Sequence, residues 1–76
     1  MDSRIIEQLI REGLPGAEVQ VSGDDGVHFE ALVRCASFEG KSTLQRHRMV
    51  YATLGSAMGR EIHALALRTE LPGGRE

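Results

Sequence analysis

Two alternating segments on either side of a glycine-rich turn constrain this chain more than any other feature. In "AEVQVS", Ala17, Val19 and Val21 fall on one face and Glu18, Gln20 and Ser22 on the other, the pattern of a half-buried strand. In "VHFEALVRCA" the apolar residues alternate again, at Val27, Phe29, Ala31, Val33 and Cys35. Between them "GDDG", residues 23–26, supplies the Gly and Asp that tight turns with positive φ require. An antiparallel hairpin with one apolar face is therefore expected, and that face needs a cover.

The rest of the chain supplies it. Ile5, Ile6, Leu9 and Ile10 recur at helical spacing until "GLPG" stops them. Ser42 and Gln45 have the spacing of a capping box, so a second helix is expected to begin at the serine. At 100° per residue Leu44, His47, Val50, Tyr51, Leu54, Ala57 and Met58 share one side of it. Gly59 is placed to cap this helix and Gly55 to weaken or split it. "IHALALRT", residues 62–69, alternates as a third strand, and the long helical crossover lets it run parallel to the second. The expected fold is α+β: a three-stranded mixed sheet with helices on one face. With 76 residues there is room for one domain, 1–76, with a core over about 4–70 and "ELPGGRE" ending in a frayed tail at 71–76.

Composition narrows the function. Hydrophobic residues make up 41% and charged residues 26%, which suits a folded globular chain. The net charge of −2 gives the whole molecule no attraction to phosphate backbones, so any basic patch must be local. The single cysteine, Cys35, excludes an internal disulfide and zinc sites of paired cysteines. It lies on the apolar face of its strand and reads as core filler. "MDSRIIEQLIREG" mixes charges into a short apolar pattern, so neither a signal peptide nor a membrane span is expected, and a reducing cytoplasm is the natural compartment.

The stretch "FEGKSTLQRHRMVY", residues 38–51, invites two readings. Gly40-Lys41-Ser42 resembles the end of a phosphate-binding loop, but such a loop needs a glycine five residues earlier, where this chain has Cys35. Nucleotide binding is thus disfavoured. Arg46-His47-Arg48 divides by geometry: His47 is expected to pack on the apolar side, hydrogen-bonded to the sheet or a neighbouring loop. Arg46 and Arg48 flank that side in solvent, and with Lys41 and Arg34 they could meet an acidic partner, glutathione-like carboxylates or a nucleic-acid backbone. Asp24 and Asp25 are adjacent in a turn, where one normally bonds its own backbone. No serine or cysteine is placed beside both a histidine and an orienting acid, so an enzyme is not expected.

His28 and His63 open the second and third strands. If those strands are parallel neighbours, both lie at one end of the sheet and suggest a shared metal-ligand edge. Parity qualifies this, because His28 goes with Glu30 and Arg34 while His63 shares a face with Leu65 and Leu67. Two imidazoles are also an incomplete ligand set, requiring donors from another molecule.

Over roughly residues 4–72 the chain resembles the BolA family, through "VHFEALV", "FEGKSTLQRHRMVYATL" and "IHALALRT". The resemblance implies an α-β-β-α-α-β fold similar to class II KH domains. It also implies a non-enzymatic partner of monothiol glutaredoxins, sharing a [2Fe–2S] cluster in iron homeostasis or cluster trafficking. In that arrangement the glutaredoxin cysteine and a glutathione thiolate supply sulfur and the BolA-like chain a histidine. That histidine matches His63. The family's second ligand, a cysteine or histidine in the loop joining strands one and two, has no match in "GDDG"; either His28 serves, or the cluster keeps a single ligand from this chain. Imidazole in place of thiolate raises a cluster's reduction potential, and a protonated ring cannot ligate, so acid is expected to release the cluster. Lys41, Arg46 and Arg48 would assist docking. Without its partner such a chain would be a monomer or weak homodimer. The alternative the resemblance carries is a transcriptional regulator that binds nucleic acid, and the blandest reading is an interaction module with structural histidines. Against nucleic acid stand the few aromatic residues, Phe29, Phe38 and Tyr51, and the lack of the G-x-x-G clamp of KH domains.

Overall fold

A computed structural model describes residues 1–23 and 25–76; Asp24, expected in the turn beside Asp25, lies outside the described residues. Helix α1 spans Ser3–Gly13 and begins where Asp2 accepts the Arg4 amide at 2.8 Å, which satisfies one of the orphan donors of the first turn. Ile6 and Ile10, four residues apart, are fully buried, whereas Ile5 is half exposed. Strands β1 (Glu18–Ser22) and β2 (His28–Arg34) pair antiparallel, and β3 (Ala64–Glu70) pairs parallel to β2, giving the sheet order β1-β2-β3. Val19, Phe29, Ala31, Val33 and Leu65 carry the buried face of this mixed sheet, as the alternation requires.

The hairpin differs from expectation in one respect. β1–β2 pairing closes at Ser22↔Glu30, earlier than a tight turn requires, and among the described residues His28 and Phe29 pair only with β3. The reason is local: the Asp25 carboxylate captures the amides of Val27 and His28, at 2.9 and 2.8 Å, offering that backbone an alternative to the ladder.

Helix α2 runs Thr43–Leu54, and both bonds of the expected capping box between Ser42 and Gln45 form. Its buried line differs from the expected stripe. Val50 and Leu54 are buried, but Leu44 is 59% exposed and His47 and Tyr51 are half-buried. One turn before Val50 stands Arg46, whose Nε donates to the Phe38 carbonyl at 3.1 Å while its guanidinium lies 5.9 Å from the Phe38 ring centre. With that position satisfied by Phe38, the inward line runs through residues 46, 50 and 54, and Leu44 turns out. The helix stops at Gly55, whose φ of 54° suits glycine. Gly55–Ala57 then form a single 3₁₀ turn, where the sequence suggests a further helix.

Residues 71–76, expected to fray, make a turn through Pro72–Gly74, with Gly73 at a positive φ of 79°, and Leu71 is buried and bridged to Arg75. Cys35 is buried in the core, as read from its alternation. No helix among the described residues is long and apolar enough to cross a membrane.

Candidate metal-ligand edge

The parallel register His28↔Ala64 places His63 one residue before the partner of His28, so both histidines sit at the same end of the sheet. An interstrand spacing of about 4.8 Å and one residue of offset put their Cα atoms roughly 6 Å apart. Parity directs the side chains from opposite faces, as the sequence implied: His28 alternates with buried Phe29 and points to the open face, while His63 has the parity of Leu65 but lies exposed beyond the core.

His63 stands on an anchored base. Ile62 before it is fully buried; its amide donates to the Ala57 carbonyl at 3.0 Å and its carbonyl accepts from Gly59 at 2.9 Å. No side-chain hydrogen bond engages the His63 ring among the described residues. His28 is held differently. Its Nδ1 lies 2.7 Å from Asp25 Oδ2, and Asp25 Oδ1 takes the amides of Val27 and His28. The His28 ring and then those amides hold the Asp25 carboxyl far below the usual carboxylate range. Ser22, Asp25, His28, Glu30, Ala64 and Ala66 line an open cleft at this end of the sheet.

Among the described residues no group of three or more His, Cys, Asp or Glu could hold a metal ion. His28 and His63 therefore do not make a complete metal centre on their own among the described residues.

The expected basic patch is smaller than the sequence suggests. Arg46 is committed to Phe38. Arg34 projects from the open face of the sheet, where Glu70 at 2.8 Å and Glu18 at 3.7 Å neutralise it. Lys41 and Arg48 remain exposed, with no ion pair among the described residues. His47 makes no hydrogen bond there to sheet or loop; its ring meets Tyr51 edge-on, 6.4 Å between centres.

Sequence reasoning missed Glu70. It is 5% exposed, takes Arg34 on one oxygen at 2.8 Å and Arg68 on the other at 3.0 Å, and thereby ties β3 to β2. The bond from Arg34 is the main reason its carboxyl is held below the ordinary value. A depressed folded-state value stabilises the fold above the unfolded-state value and is lost as pH falls through the folded one. Glu70→Gln should therefore lower the urea midpoint at neutral pH and flatten its decline below about pH 4.3, read from unfolding curves across that range.

The family model for BolA-like protein matches residues 5–73. The chain belongs to the BolA family. Within that family, the BolA homologue from Coxiella burnetii superposes with a TM-score of 0.85 at 48% identity, over 95% of this chain and 92% of its own. The Escherichia coli protein named DNA-binding transcriptional regulator BolA is 43% identical over 65 residues, 86% of this chain and 55% of that protein. Human BolA-like protein 1 is 47% identical over 45 residues, 59% of this chain and 33% of the human protein. The matched region thus spans from a third to about half the length of these two curated relatives. The three-stranded mixed sheet with its two helices is the BolA fold.

Proposed function

We propose that this BolA-family chain is a non-enzymatic partner of a monothiol glutaredoxin, contributing His63 and then His28 to a [2Fe–2S] cluster shared with glutaredoxin and glutathione, in cluster trafficking or iron homeostasis. The observation that supports this best is the pair of exposed imidazoles carried at one end of the sheet. His63 offers a ring engaged by no side-chain hydrogen bond on an anchored backbone, and His28 offers a ring already oriented by a carboxylate. When bound, such a cluster supplies one-electron chemistry at a potential set by its ligands. The chain's own residues hold the donors in place, and exposed Lys41 and Arg48 provide positive charge for docking.

The test is anaerobic reconstitution of the chain with a monothiol glutaredoxin and glutathione, followed by visible absorption and circular dichroism. His63→Ala is expected to abolish the spectrum specific to the mixed complex; an unchanged spectrum removes His63 from the site.

A second reading, a nucleic-acid-binding regulator, is favoured by the name of the Escherichia coli relative. The net charge of −2 and the commitment of Arg46 to Phe38 weigh against it. On this reading, removing Lys41 and Arg48 lowers the salt slope of binding by about 1 per cation. Absence of salt-dependent binding to any duplex or single strand retires it.

A further inference from the structure

His28 is the histidine whose ring is held by a side chain, and the residue that holds it, Asp25, also binds the local backbone. Asp25 is exposed, in a connection that contributes little to the core. Yet its carboxylate makes three short contacts, two to backbone amides and one to the His28 ring. At neutral pH a carboxylate carries no proton and can only accept. The ring nitrogen 2.7 Å away must therefore carry the hydrogen. For a neutral imidazole this leaves the lone pair on Nε2, on a side chain that is 72% exposed.

We propose that Asp25 is a positioning residue that holds His28 as the Nδ1–H tautomer, so that Nε2 faces outward as an electron-pair donor to the shared cluster. The inference rests on the ligand role proposed for His28. Metal-ligating histidines are commonly oriented by a carboxylate in this way, which fixes tautomer and ring direction and raises the basicity of the donor nitrogen. The two amide bonds to Oδ1 fix the carboxylate itself, so the ring is referenced to the strand backbone of β2 and not to a mobile side chain.

Asp25→Asn separates tautomer control from simple loss of a contact. Its amide oxygen can still accept both backbone amides, but its NH₂ would face Nδ1 as a donor. The hydrogen then moves to Nε2 and the outward lone pair is lost, the logic by which an aspartate-to-asparagine change inverts an orienting dyad. Asp25→Ala only removes the orienting acceptor and leaves both tautomers available.

The experiment has two readouts. In the chain alone, ¹⁵N histidine spectra at neutral pH are expected to show the Nδ1–H form at His28 in the wild type and the Nε2–H form in Asp25→Asn. In the reconstituted complex with glutaredoxin and glutathione, cluster loss to a chelator is expected to be about 10- to 100-fold faster in Asp25→Asn. Asp25→Ala should be less affected, and Asp25→Asn should add nothing in a His28→Ala background. An Nε2–H ring in the wild type, or spectra that Asp25→Asn leaves unchanged, overturns the positioning role while the ligand assignment stands. A cluster indifferent to His28→Ala retires His28 as a ligand and this proposal with it, whatever the tautomer, and leaves His63 untouched.

Discussion

Phe38→Ala should lower the unfolding free energy by about 3–5 kcal/mol, out of a total of roughly 4–11 kcal/mol for a chain of this length. Phe38 has 0% exposure and is the largest fully buried side chain. Truncation would do more than leave a cavity. The ring lies against the Arg46 guanidinium, and the Phe38 carbonyl accepts from Arg46 Nε at 3.1 Å and from the Lys41 amide at 3.0 Å. Loss of the ring should loosen the entry of α2 as well as the core beneath it. Urea unfolding followed by far-ultraviolet circular dichroism reads the cost, and Phe38→Leu, which keeps most of the apolar contact, should recover much of it. A midpoint that Phe38→Ala does not move would mean that α2 is not seated through this residue.

Gly23→Ala should cost about 1–3 kcal/mol, an unusual penalty for adding one methyl group at an exposed loop position. The reason is close approach. A Cβ at residue 23 would stand 2.7 Å from the His28 carbonyl oxygen and 2.6 Å from Phe29 Cδ1. The oxygen belongs to a strand backbone and the ring is 3% exposed, so neither yields cheaply. The same substitution should displace His28 and shift its ring resonances without altering any atom of the ring. Thermal unfolding together with histidine spectra checks both; wild-type stability with unmoved His28 signals would contradict the contact.

Much of this architecture was legible from elementary patterning. The period-2 segments around "GDDG" placed β1 and β2 together, and the capping box placed the start of α2, because each signal is carried by local backbone chemistry. The mixed sheet followed from the crossover. What patterning could not supply was the rotation of α2. Leu44, His47 and Tyr51 make a plausible stripe by periodicity, yet the helix is oriented by a polar residue, Arg46, whose partner is a carbonyl outside the helix. A hydrophobicity count gives such a bond no weight. Glu70 was hidden for a related reason: three charges near a strand end resemble a solvated edge until the register brings Arg34 and Arg68 onto one carboxylate. For the candidate site, the shared sheet end of His28 and His63 could be anticipated from strand direction. The Asp25–His28 contact could have been suspected from an aspartate three residues before a histidine in a turn, but its second oxygen had to be located first.

The overhang of β2 past β1 separates two quantities that hairpins usually couple. Among the described residues the first residues of β2 ladder to β3 alone, so the placement of the His28 backbone against β3 is set by the parallel pair and the reach of the connection to β1 is not.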